Sequence, residues 1–273
     1  MDTAFFSSAA LEFKPWSPSK LGVLDSCSQK FIYQYVEKPK LKADEFVVTD
    51  DTPLVLGSAA HKYAELMQGG DASKVAKERA FREVPKTVKN KVKLKGLIRS
   101  IDSFHERMES FKSRNNVVLD KSELRLAVLP NMELCDFWDN KSILRGVLDR
   151  VLVVSKGGKN HAIAIDIKTG RCKSVGSYSI QLESYGILLH SRFDIASVQP
   201  AIYSTTSGDL TWYPKKILPT DISASNPVVK YINKVSSKVE EGFSPEKGRH
   251  CTWCNFKTLC EKENTGYDGS VPF

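Results

Sequence analysis

The sequence predicts a mixed α/β core with helical additions. Apolar residues recur at helical spacing between residues 17 and 114, the period then shortens to that of strands between 123 and 168, and a further helical run separates that meander from a second hairpin. The chain has 273 residues, 41% of them hydrophobic and 26% charged, enough for one sizeable core of ordinary globular composition.

The first 15 residues read as irregular. Ser17 then caps a helix with Pro18 in its first turn, where a missing N–H costs nothing. Its apolar positions run through Leu21, Leu24, Cys27, Phe31 and Tyr35. Pro39 and the residues through Pro53 read as a linker. The spacing predicts a helix over 57–68, stopped by Gly69-Gly70. Residues 71–114 read as a helical region broken near Pro85. Within it Lys89, Lys91, Lys93, Lys95 and Arg99 form a basic cluster suited to phosphates or simply to solvent.

Short β-rich runs follow at 123–129, 143–154 and 162–168, with Gly157-Gly158-Lys159-Asn160 as the turn between the last two. Residues 179–190 return to a helical pattern. A hairpin is predicted over 198–213 around Ser207-Gly208-Asp209, and a helix over 226–241 ahead of a cysteine-rich tail. This suggests four parts: an N-terminal segment (1–56), a helical region (57–120), a core (121–215) and a C-terminal helix with the cysteine segment (216–273).

Lys and Arg number 40 against 32 Asp and Glu, a formal charge of +8, which suits a polyanion without proving one. No stretch approaches the roughly 20 apolar residues of a membrane span. The first residues lack the basic start and apolar run of a secretory signal, so an intracellular location is expected, with no membrane partner. Six cysteines do not suggest a secreted disulfide framework.

The chemistry concentrates in AIDIKTG, residues 164–170. Side chains two apart on a strand share a face, so Asp166 and Lys168 point one way and Ile165 and Ile167 the other. An acid and a lysine in an apolar strand are costly without a purpose or a partner. Gly170 is expected to let the chain turn sharply afterwards. GVLDR, residues 146–150, sets Asp149 in another apolar strand, and a hairpin across 157–160 brings its carboxylate toward Asp166. Two neighbouring carboxylates repel, and Mg²⁺ or Mn²⁺ is the usual remedy. Each piece alone reads as a surface salt bridge, Asp149 with Arg150 or Asp166 with Lys168; the set in this order does not.

That set resembles the core motif of the PD-(D/E)XK nucleases: Asp149, then Asp166-Ile167-Lys168-Thr169-Gly170. GSAAH (57–61) resembles the G-x-x-x-H motif of the RecB-like branch, Gln181 to Tyr185 its Q-x-x-x-Y motif, and Ser17-Pro18-Ser19 with Leu21, Cys27 and Phe31 its opening segment. The matches span residues 17–260 in the expected order. The resemblance implies a restriction-endonuclease-like core, a mixed central sheet flanked by helices, with a helical insertion. It also implies Asp149, Asp166, the Ile167 carbonyl and His61 at the metal, and Lys168 as the catalytic lysine. Gln181 and Tyr185, four apart on one helical face, would position DNA or the lysine. Glu123 stands below these as a ligand or supporting group, and Glu65 lower still.

Cys251, Cys254 and Cys260 form a C-x₂-C-x₅-C tail that lacks a fourth thiolate. Cys27 completes the set in the RecB-like pattern, which implies a [4Fe–4S] cluster pinning the two ends of the chain; four thiolates suit zinc equally on chemistry alone. Ser28 and Glu261 stand where that pattern often has proline. Cys135 and Cys172 are left over as free thiols, and His250 is a spare donor.

The expected function is metal-dependent hydrolysis of phosphodiester bonds in single-stranded DNA or at free DNA ends, as an exonuclease. The alternatives are a catalytically silent DNA-end-binding module and a structural zinc or cluster protein acting through partners. There is no G-x-x-x-x-G-K-[ST] segment, so a helicase or recombination protein would be a separate partner. Stand-alone relatives occur in phages and in CRISPR adaptation, and ring-forming relatives leave an oligomer open.

Overall fold

A computed structural model of the chain describes residues 5–41, 52–82, 84, 91–170, 172–239 and 244–263. Its centre is a six-stranded sheet in the order β2-β1-β3-β4-β5-β6. The strands are β1 (Val117–Val128), β2 (Leu134–Cys135), β3 (Leu144–Lys156), β4 (Lys159–Lys168), β5 (Ser197–Ser204) and β6 (Asp209–Trp212). β4 and β5 are parallel and every other pair is antiparallel. That one parallel pair requires a crossover, which is α7 (Ser179–Arg192).

Helices cover both faces. On one, α1 (Ser8–Glu12), α2 (Pro18–Ser26), α3 (Ser28–Phe31), α7 and α8 (Pro227–Ser236) share a core with Leu148, Val151, Val153 and Ala164. On the other, α4 (Thr52–Gln68), α5 (Ser73–Ala80) and α6 (Lys91–Arg114) pack on Leu152, Ile165, Ile167 and Tyr203. Both faces being buried explains the nearly unbroken apolar run of β3. The last element is α9 (Lys257–Glu263).

Local chemistry sets several boundaries where the sequence puts them. The Ser17 hydroxyl accepts from the Lys20 N–H, with Pro18 in the first turn. Gly157 and Gly158 take φ of 58° and 73°, the left-handed values a two-residue hairpin needs.

Other boundaries differ. Residues 8–12, expected to be irregular, form α1 because Ser7 caps it through the Ala10 N–H. The helix expected from Ser17 through Tyr35 breaks at Cys27, whose extended backbone (φ −169°) starts α3 while its sulfur accepts from the Lys30 N–H. α4 begins at Thr52 within the expected linker, since Pro53 is tolerated in a first turn; residues 42–51 lie outside the described ones. β1 starts at Val117, not 123, and β2 was not anticipated. α8 ends at Ser236 and tightens into a short 3-10 turn, while the expected helix end at 241 lies outside the described residues. Gly170 takes no left-handed conformation, so the turn after β4 does not use its freedom. The break near Pro85 and Lys89 also lie outside the described residues.

Candidate metal centre

The site lies where the sheet exchanges its two faces. On β3, Leu144 and Leu148 pack toward α7, yet so do Val151 and Val153. Strict alternation forbids this unless the strand slips between 148 and 151. On β1, Leu124, Leu126 and Val128 face α7, and so does Leu119. The switch there falls at Glu123, which holds φ of 50° in mid-strand. A non-glycine residue in that region is strained and points to a functional constraint. The ladder pairs Ser122 with Arg150 and Leu124 with Leu148 but skips Glu123 and Asp149, so these two carboxylates leave the regular pleat together.

His61 of α4 meets them. Its Nδ1 lies 3.3 Å from Asp149 Oδ1 and 3.7 Å from Glu123 Oε1. Donor atoms of His61, Glu123 and Asp149 all lie within 4.8 Å of one another. The other Asp149 oxygen accepts the Ile167 N–H at 2.6 Å, where the β3–β4 ladder ends. The Ile167 amide thus helps to fix Asp149, and Ile167 itself lines the cleft. Burial raises the Asp149 pKa, as does the nearby Asp166 charge, against the pull of His61 and the amide. Burial alone would lower the His61 pKa; Asp149 and Glu123 overcome this and push it up to about 10. The two carboxylates thus favour the protonated form of the imidazole.

Asp166 sits beside this cluster, only 2% exposed. Its Oδ1 accepts from Gln181 Nε2 at 2.6 Å and from the Tyr185 hydroxyl at 2.8 Å, and its Oδ2 lies 2.8 Å from Lys168 Nζ. Lys168 also donates to Gln181 Oε1 at 3.0 Å and lies over the Tyr178 ring. Gln181 donates to Tyr185 as well, so acid, lysine, amide and phenol form one closed network. Burial and the charges of Asp166 and Asp149 raise the Tyr185 pKa well above its usual value, so the phenol stays a neutral donor. The Asp166–Lys168 ion pair exists, but not as a surface bridge: Asp166 is buried, and the lysine is partly exposed at the cleft. Arg150 does not pair with Asp149: it is buried against Asp120, Nε to Oδ1 at 2.6 Å and Nη2 to Oδ2 at 2.7 Å.

Both groups line one cleft of about 640 Å³, together with Gly57, Ser58, Lys62, Val147, Thr169 and Tyr178. Gly57 has a steric reason to lack a side chain: a Cβ there would stand 3.0 Å from Thr169 Oγ1. That approach lets α4 carry His61 against the end of β4. Glu65 lines the cleft too, paired with Lys62 at 2.7 Å. Tyr178 had drawn no notice in the sequence, where it is one of nine tyrosines with no motif around it. The basic residues Lys93, Lys95 and Arg99 do not line the cleft.

The ends of the chain meet elsewhere. The Ser28 hydroxyl donates to the Ser244 carbonyl at 3.0 Å, Tyr33 bonds Glu263, and the Tyr33 and Phe256 rings lie 5.4 Å apart. None of the six cysteines forms a disulfide. Burial raises the Cys260 pKa to about 11, helped by Cys27, Cys254 and Cys251; Cys254 is raised by burial, with Cys27 and Cys251 adding to it. These sulfurs sense one another's charge, but among the described residues only His61, Glu123 and Asp149 bring three donor atoms within 4.8 Å of one another. His250 instead engages the Glu246 carbonyl at 2.8 Å.

Two carboxylates and an imidazole around one point, with a lysine at the side, suit a divalent cation acting on an anionic substrate. The class of protein this fold and site define is the metal-dependent nucleases. Residues 15–261 match the PD-(D/E)XK nuclease superfamily, and the chain belongs to it. DNA is the substrate that membership implies. Eighteen solved chains match, among them one titled "Crystal structure of SSO0001", 14% identical over 79% of this chain and 88% of that one, with a TM-score of 0.34. No curated protein sequence matches the chain. Among the described residues no helix is long and apolar enough to cross a membrane.

Proposed function

We propose that the protein is a Mg²⁺- or Mn²⁺-dependent deoxyribonuclease of the RecB-like branch, acting as an exonuclease on single strands or free DNA ends. The observation that carries this reading is the convergence of His61, Glu123 and Asp149 within 4.8 Å, next to the Asp166–Lys168–Gln181–Tyr185 network. A cation held by that donor set would supply charge stabilisation at the scissile phosphate.

The chain's own groups do the rest. Asp149 is aimed by the Ile167 amide and by His61. Asp166 and Gln181 hold the Lys168 ammonium at the cleft, where it can orient an attacking water or, as the neutral amine, accept that water's proton. Tyr185 fixes Asp166 from below. In this reading Asp166 supports the lysine as well as the metal, and Glu123 is a ligand in its own right. Cys27, Cys251, Cys254 and Cys260 would hold a [4Fe–4S] cluster, or zinc, as a structural tie between the chain ends.

The test is cleavage of end-labelled single- and double-stranded DNA with Mg²⁺, Mn²⁺ or EDTA, using anaerobically purified wild type and Asp149→Asn. Metal-dependent degradation lost in the variant is expected, and the product ladder reads the polarity. Tight DNA binding without cleavage by the wild type would replace this reading with a silent end-binding module.

A further inference from the structure

We propose that Phe137, Trp138, Arg125 and Arg145 form a landing platform for a single DNA strand on its way to the carboxylate cleft. This rests on the nuclease reading for its direction but not for its binding chemistry.

The placement follows from the sheet. Gly146 meets Leu188 of α7, so its neighbours Arg145 and Val147 turn to the opposite face. Leu124 and Leu126 pack toward α7, so Arg125 between them turns the same way as Val147, its cross-strand partner. Val147 lines the cleft. The arginines therefore continue the cleft along the surface. Arg145 precedes Asp149 by four residues, about 13 Å along the strand, or roughly four stacked nucleotides.

The chemistry fits one occupant. Trp138 is 69% exposed at the tip of the loop between β2 and β3. Phe137 stands edge-on to it, with centroids 5.0 Å apart at 85°. The Arg145 guanidinium lies 5.6 Å from the Phe137 ring and 5.7 Å from the Trp138 ring, and Arg125 lies 5.9 Å from Phe137. Among the described residues neither guanidinium is ion-paired to a carboxylate. The nearby Asp136 and Asp139 instead accept the backbone N–H groups of Trp138 and Lys141, each at 2.8 Å, and so fix the loop that presents the rings. The Asp136 and Asp139 carboxylates stand on the same loop as the rings, so the positive charge of the platform is confined to the two guanidinium groups. One exposed indole, backed by Phe137 and flanked by arginines without a carboxylate partner, matches unstacked bases and phosphates. A duplex hides its base faces except at its ends, so the match is to a single strand.

The experiment measures anisotropy of fluorescein-labelled dT₁₂ in EDTA with the full chain, as wild type, Trp138→Ala, Trp138→Tyr and Arg145→Gln. Trp138→Ala should raise Kd roughly 5- to 100-fold, the range expected for one lost stacking contact. Trp138→Tyr should recover most of it, and Arg145→Gln should lower the salt dependence by about one phosphate contact. Melting temperatures should be unchanged, since Trp138 is exposed. An unchanged Kd for Trp138→Ala overturns the proposal, and a change in sedimentation instead would mark the patch as a protein contact. Because binding is read without metal, lost affinity in a protein that cleaves nothing would sink the nuclease reading alone.

Discussion

The carboxylate cleft and the cysteine cluster are both donor sets, yet they are supported in opposite ways. In the cleft, the chain supplies its own cations and donors: His61 between Glu123 and Asp149, and Lys168, Gln181 and Tyr185 around Asp166. Among the cysteines, burial is the main cost of charging Cys260, and the other three thiols and Glu261 add to it. The cleft is thus braced by its own charges and hydrogen bonds, whereas the cysteines repel one another. If the cysteines hold a structural centre as proposed, losing it should loosen the fold, whereas losing the cation should silence the cleft and leave the fold.

The largest effect expected is on chemistry. Lys168→Ala should lower cleavage by about 10²- to 10⁴-fold, the usual scale for a lost proton-transfer group. DNA affinity should hardly move, while the melting temperature should fall because the buried Asp166 loses its cation; comparable cleavage by wild type and variant would remove Lys168 from the mechanism. EDTA should abolish cleavage and leave the melting temperature unchanged.

Cys254→Ala should do the reverse of a cleft mutation. Several kcal/mol of stability lost would lower the melting temperature on the order of 10 °C, with DNA binding falling alongside. An unchanged melting curve would mean that the thiols hold no structural centre.

A smaller effect tests the join between α4 and β4. Gly57→Ala places a methyl group 3.0 Å from Thr169 Oγ1. Activity should fall severalfold through a shifted His61, and adding Thr169→Ala should restore part of it by removing the oxygen. No recovery in the double variant would show that the close approach is not what matters.

The smallest expected effect concerns Lys20, near the chain ends. Burial, then the charges of Arg145 and Lys38, lower its pKa to about 8. A lysine lowered in the fold binds its proton more weakly there than in the unfolded chain. Its contribution to stability is therefore least favourable below pH 8 and improves between about pH 8 and 10.5. The melting temperature of wild type relative to Lys20→Met should rise across that window. A flat difference would show that Lys20 titrates as an exposed lysine does.

Much of the fold was legible because its signals are local. Ser17 with Pro18 announces a helix start, paired glycines at 157–158 announce a hairpin, and alternation marks strands. The acid–lysine pair on β4 was legible from strand parity, and Gln181 with Tyr185 from helix spacing. Less legible were the break at Cys27, made by a side chain capping the next helix, and the start of α4 inside a proline-flanked stretch. The aromatic–arginine patch gave no motif, since its four residues come from two strands and a loop.

By itself, then, the sequence determined which residues could do the chemistry and which local elements would hold them, because caps, turns and periodicity act over a few residues. The tertiary structure decided how those residues divide the work. Glu123 faces His61 only because β1 and β3 exchange faces at the same point, and Asp166 turns to Tyr185 and Gln181 because α7 crosses behind β4. Such contacts join residues far apart in the chain, and their geometry is fixed by packing that no local pattern encodes.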